Sequence, residues 1–110
     1  MEKFPNPGCA VVILAFDELV ATCPITKQPD FYQGKIQLRG TTNLVESKSL
    51  KLFFHNIIRD SMSEIGGLFG ENLAVYIRDQ LCQALDAEVD EVTVELTQKS
   101  RGGISITAVA

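Results

Sequence analysis

The sequence predicts an α+β domain: an antiparallel four-stranded sheet with two helices on one face, in the order ββααββ. Three observations predict it. Apolar and polar residues alternate near both ends of the chain, as half-buried strands require. In the middle, apolar residues recur at spacings of three and four, the period of amphipathic helices. The 110 residues, 45% hydrophobic and 22% charged, supply one core, so residues 1–110 form a single domain.

The elements follow in order. Cys9 to Phe16 is rich in Val and Ile, and the strand continues through Leu19 and Val20 to Thr22-Cys23-Pro24. The segment from Pro24 to Asp30 holds two prolines, which forbid ladder pairing, and reads as a turn. Tyr32, Gly34, Ile36 and Leu38 then alternate with Gln33, Lys35, Gln37 and Arg39 as a half-buried strand. Leu50, Phe53, Phe54, Ile57 and Ile58 mark the first helix, with Asn43 and Glu46 spaced as a capping box ahead of it. Gly66-Gly67 breaks that pattern. A second helix runs from about Glu71, whose charge suits a helix N-terminus, with Ile77, Leu81, Ala84 and Leu85 on its apolar stripe. Val92, Val94 and Leu96 form the third strand. Ile104, Ile106 and Ala108 form the fourth after an Arg101-Gly102-Gly103 turn. A sheet this small, with free edges, is expected to find neighbours by oligomerising.

Composition narrows the function classes. No apolar run approaches the ~18 to 20 residues of a membrane span, and Met1-Glu2-Lys3-Phe4-Pro5 does not begin a secretory signal, so a cytoplasmic location is expected. A net charge of −4 provides no overall field for a polyanion. Cys9, Cys23 and Cys82, with the single histidine His55, lack metal-ligand spacing, so no metal site is expected and all three cysteines are read as free thiols. Cys9 and Cys82 read as small apolar residues, and His55 as structural.

Two segments carry candidate chemistry. A cysteine at a strand end, followed by a proline-stiffened loop, is held in a fixed place, and Asp30 returns at the start of the next strand. Thiol and carboxyl suit addition to an unsaturated carbon: the thiolate attacks and the acid protonates the atom that gains charge. The plain alternative is a half-buried cysteine and an aspartate that initiates a turn. The second segment is Glu46-Ser47-Lys48-Ser49-Leu50-Lys51, where Lys48 and Lys51 lie one turn apart and Ser47 and Ser49 add hydroxyls. Such a cluster can bind phosphate; two lysines on a helix are more commonly a solvated face.

Together the motifs are specific. Cys-Pro-x-Thr-x-Gln-Pro-Asp-Phe (23–31), Glu-Ser-Lys-Ser-Leu-Lys (46–51) and Arg-Gly-Gly-Ile-Ser-Ile (101–106), in that order, resemble the QueF family of NADPH-dependent nitrile reductases. These reduce 7-cyano-7-deazaguanine to its aminomethyl form for queuosine in tRNA. The resemblance implies a tunnelling fold that closes into a barrel by oligomerising, with active sites between subunits and pentameric rings stacked into a decamer. It implies that Cys23 forms a covalent thioimide with the nitrile carbon and that Asp30 protonates the nitrile nitrogen. Glu71 is then the reader of the guanine-like edge, with Glu46 and Ser47 as further substrate contacts. Ser47, Lys48, Ser49 and Lys51 are implied to hold NADPH. Gly70 stands where the family's reductases carry a histidine, and the loop between the helices is longer than usual. Two alternatives stay open on the same scaffold. One is a QueF-like amidine-forming enzyme of the archaeosine synthase type, which adds ammonia to the nitrile of a base already in tRNA. The other is a non-catalytic binder of deazapurines or pterins.

Overall fold

A computed structural model describes residues 1–58 and 67–110, the side chains of Ile57 and Arg101 excepted. Four antiparallel strands form the main sheet, β2 (Val11–Thr22), β3 (Pro29–Arg39), β5 (Val92–Arg101) and β6 (Ile104–Val109), hydrogen-bonded in that spatial order. Two short strands, β1 (Lys3–Pro5) and β4 (Asn43–Val45), pair as a separate ribbon. Neither was expected, because three residues are too few to show a period. Helices α1 (Ser47–Leu52) and α2 (Gly70–Leu85) cover one face of the sheet. The first amphipathic stripe continues past α1 as a π-helical segment over Phe53–Ile58, and Leu50, Phe53, Phe54 and Ile58 are buried. Gly66 and the side chain of Ile57, both assigned from the sequence, lie outside the described residues.

Strand β2 changes phase midway. Val12, Leu14 and Phe16 pack against the core, and so do Leu19 and Ala21, which have the opposite parity. The pairing explains the change. Phe16 faces Gly34 and Leu19 faces Tyr32, so Asp17 and Glu18 together stand opposite the single residue Gln33. This β-bulge returns apolar side chains to the core and leaves two carboxylates exposed at the sheet edge. Strand β3 needs no such correction, and Asp30, Tyr32, Ile36 and Leu38 are all buried on its inner side. Val92, Val94 and Leu96 of β5, and Leu73, Ala74, Ile77, Leu81 and Leu85 of α2, complete the core. Each fully buried Leu or Ile contributes about 1.5 to 3 kcal/mol of transfer free energy.

The β5–β6 hairpin turns at Gly102 and Gly103, both with positive φ (60° and 81°), the backbone of a type I′ turn. Large apolar side chains stay exposed near both free edges of the sheet: Val11 and Ile13 on β2, Ile104, Ile106 and Val109 on β6. Among the described residues, no helix is long and apolar enough to cross a membrane. Cys82 is half-buried and burial pushes its thiol up, as expected of a small apolar residue. Cys9 is exposed instead, in the turn where Asn6 Oδ1 accepts its N–H.

Candidate active site

The hairpin between β2 and β3 places the candidate nucleophile. Thr22 pairs with Pro29 and Ala21 with Asp30, so the ladder reaches into the segment expected to be an unpaired turn, Cys23 is the first residue beyond the last rung, and Asp30 lies one rung inside it. The loop closes on itself: the Cys23 N–H donates to the Gln28 carbonyl at 2.9 Å, and the Lys27 N–H donates to the Cys23 carbonyl at 3.0 Å. Thr26 Oγ1 accepts the Gln28 N–H at 3.2 Å, which leaves the Thr26 hydroxyl proton for the Cys23 sulfur. That hydroxyl, followed by the backbone N–H groups of Thr26 and Ile25, holds the Cys23 thiol below its usual value, against burial and the charge of Asp30. The sequence supplies this directly, since the loop that caps the strand also carries the donors.

Helix α2 brings the third member. Gly67 has φ +94°, and a Cβ there would fall 2.0 Å from the Thr22 carbonyl oxygen, which also accepts the Leu68 N–H at 3.2 Å. The approach to α2 is therefore tied to the strand end that carries Cys23, and only glycine fits the junction. Three residues on, a Cβ at Gly70 would meet the Tyr32 ring at 3.2 Å and its hydroxyl at 3.4 Å. Where the resemblance leads one to expect a histidine, the space against Gly70 holds Tyr32. Asp30 and Tyr32 are 5% and 1% exposed, on the same side of β3. Burial, followed by the charges of Asp30, Glu71 and Cys23, pushes the Tyr32 phenol up to about 12, so it stays neutral at physiological pH. All three predicted groups thus act on one phenol. Glu71, in the first turn of α2, is exposed at the rim of this group.

The α1 cluster is built differently. Glu46 is itself the N-cap, its two carboxylate oxygens accepting the N–H of Lys48 at 2.9 Å and of Ser49 at 2.8 Å. Those bonds, aided by Lys48 and Lys51, hold its carboxyl below the usual range. The expected capping box from Asn43 is absent: Asn43 belongs to β4, and its amide donates to the Leu85 carbonyl at the end of α2. The Ser49 hydroxyl donates to the Glu46 carbonyl at 2.9 Å and accepts the Glu2 N–H at 2.8 Å, which fastens the N-terminal segment to α1. Ser47, Lys48 and Lys51 are exposed. Ser47 and Lys51 line a cavity of about 300 Å³ with Leu14, Phe16 and His55. A second cavity of about 290 Å³ is lined by Leu19, Phe31, Tyr32, His55 and Lys99. The bulge residues Asp17 and Glu18, with Phe54 and His55, line both.

The structure therefore gathers Cys23, Asp30 and Glu71 into one group and Ser47, Lys48 and Lys51 into another. Glu46 and Ser49 mainly shape the start of α1. His55, expected to be structural, is exposed and lines both cavities. Sequence reasoning treated Tyr32 only as an inward strand residue. Its place two residues after Asp30, on the same strand face, was the available signal.

An NADPH-dependent 7-cyano-7-deazaguanine reductase of Frankia casuarinae is 40% identical over 109 residues, covering 98% of this chain and 81% of that protein. The protein of the same name from Syntrophobacter fumaroxidans is 38% identical over 109 residues, 96% of this chain. This chain spans only 63% of the length of that relative. One from Helicobacter pylori (strain Shi470) is 36% identical, covering 96% of this chain and 69% of that protein. Among solved structures, the crystal structure of an archaeosine synthase QueF-Like protein superposes with a TM-score of 0.74. It covers 94% of this chain and 93% of that one, at 18% identity, and so bears on the fold alone. No family model matches the chain.

Proposed function

This chain belongs to the family of NADPH-dependent 7-cyano-7-deazaguanine reductases, and we propose that it reduces the nitrile of that deazapurine to the aminomethyl group through a thioimide on Cys23. The observation that carries the proposal is the Cys23 loop: a half-buried thiol with three donors aimed at its sulfur, beside a buried carboxyl, with an exposed carboxylate at the rim.

Each residue has a physical task. The Cys23 thiolate adds to the nitrile carbon, forming the C–S bond. The π pair released onto nitrogen takes a proton from Asp30, which has received it from the Cys23 thiol and so returns to the carboxylate, and this yields the thioimide. Glu71 accepts from the adjacent ring and exocyclic N–H groups of the guanine-like edge, as a carboxylate suits. Glu46 and Ser47 border the substrate from the α1 side.

The residues of α1 fit the phosphates of NADPH, with one adjustment. Because Glu46 already occupies the N–H groups of Lys48 and Ser49, a phosphate is held by side chains, those of Lys48, Lys51 and Ser47. Ser49 contributes by fixing the turn that presents them. When bound, NADPH would supply hydride, and two equivalents are needed to take the nitrile to the aminomethyl group, one at the thioimide carbon and one at the imine left when the Cys23 thiolate departs.

The proposed unit is residues 1–110 as one tunnelling-fold domain, assembled through the free sheet edges into pentameric rings and a decamer. The apolar side chains exposed near β2 and β6 support assembly, with Ile13 at 56% and Ile104 at 69% exposure. A free catalytic thiol suits the reducing cytoplasm, the proposed location.

Absorbance of NADPH tests the reaction. It should fall when 7-cyano-7-deazaguanine and the protein are both present, and not with either alone. If an adduct forms but NADPH is not consumed, while ammonia releases an amidine, the amidine-forming alternative replaces this one.

A further inference from the structure

Tyr32 is 1% exposed, yet its hydroxyl has no hydrogen-bond partner among the described residues. A buried orphan hydroxyl costs stability, and native structures keep few of them without a use. Its surroundings indicate the use. Gly70 leaves the space that the ring and hydroxyl occupy under the first turn of α2, where a Cβ would meet them at 3.2 and 3.4 Å. Cys23, Asp30 and Glu71 are near enough for their charges to act on the phenol. Tyr32 is also among the residues lining the cavity formed with Leu19, Phe31, His55 and Lys99. Tyr32 thus joins the group around Cys23 to a space of about 290 Å³.

We infer that the Tyr32 hydroxyl binds substrate, donating a hydrogen bond to an acceptor atom of the bound deazapurine and holding it between Cys23 and Glu71. Asp30, Glu71 and the Cys23 thiolate are acceptors only when ionised, so a neutral phenol is the donor that complements them. The hydroxyl stays protonated at every pH at which the thiolate works, because burial and those charges push it up to about 12. This inference rests on the deazapurine reading and adds a specificity-determining residue to it.

The test is Tyr32→Phe, which removes one oxygen and nothing else. An orphan hydroxyl makes an unusual pair of expectations. Without ligand, the variant should melt about 2 to 8 °C higher than the parent, because the unpaired group is gone. Its affinity for 7-cyano-7-deazaguanine should fall about 3- to 10-fold, the loss of one hydrogen bond. Affinity is measured by calorimetry in a Cys23→Ala background, so that no covalent step intervenes. Equal affinity in the two proteins would overturn the role of Tyr32 and leave the deazapurine reading standing. A lower melting point would also overturn it, since the hydroxyl would then be paired and structural. If the Cys23→Ala protein with Tyr32 intact does not bind the base, the deazapurine reading itself fails, and the Tyr32 inference with it.

Discussion

The two halves of the site are built on opposite principles. Around Cys23, groups from β2, β3, their connecting loop and α2 meet at short range, and two of them, Asp30 and Tyr32, are buried. On α1, the side chains of Ser47, Lys48 and Lys51 project from a short helix into solvent, and the neighbouring Glu46 carboxylate is spent on capping. Burial strengthens each electrostatic interaction and fixes each position, whereas exposure leaves charges screened and mobile. In the proposed reaction the covalent step falls to the buried half and should be sensitive to single atoms. Cofactor binding falls to the exposed half and should be graded and dependent on salt.

Asp30→Asn should give the largest effect on the buried half. Adduct formation should slow by about 100- to 10,000-fold, the usual worth of positioned proton transfer. The loss cannot come from the thiol, because the charge of Asp30 raises the Cys23 pKa and its removal favours the thiolate. Rates of adduct formation by stopped-flow mass measurement check this, and a loss smaller than tenfold would remove Asp30 from the proton path.

Thr26→Val probes the thiolate itself at smaller cost. The Thr26 hydroxyl is the foremost of the groups lowering the thiol pKa, so the variant should titrate higher. In the proposed reaction the deprotonated thiol is the nucleophile, so the rate should rise with pH through its pKa. The profile of the variant should move to higher pH, slower at neutrality and converging with the parent in alkali. Superimposable profiles would show that the hydroxyl does not reach the sulfur.

Lys48→Ala with Lys51→Ala should have the smallest effect. For exposed charges a pair contributes about 0.2 to 1 kcal/mol, so NADPH affinity should drop only a few-fold per lysine, and the difference should shrink with added salt. Adduct formation without NADPH should be unchanged. A matching loss in adduct formation would mean that the two halves are not separate.

How much of this was legible in the sequence follows the same division. The alternation from Tyr32 to Leu38 and the stripe along α2 were read directly, because a single strand or helix writes its own period. The bulge at Asp17 and Glu18 was not, since it is defined by what stands opposite, a single Gln33. Asn43 failed as a cap for a similar reason: its partner is the Leu85 carbonyl, 42 residues away. The return of Asp30 to the strand end that carries Cys23 was foreseen because a short hairpin brings the chain back locally. Tyr32 was missed because its hydroxyl owes its surroundings to α2, nearly forty residues on.

The central claim is that Cys23 forms a covalent bond with a nitrile, and intact mass tests it most directly. Incubated with 7-cyano-7-deazaguanine in the absence of NADPH, the protein should gain the mass of one base per chain. Peptide mapping should place the gain on Cys23, and Cys23→Ala should show none. An unchanged mass in the parent protein, or a gain that survives in Cys23→Ala, would contradict the account.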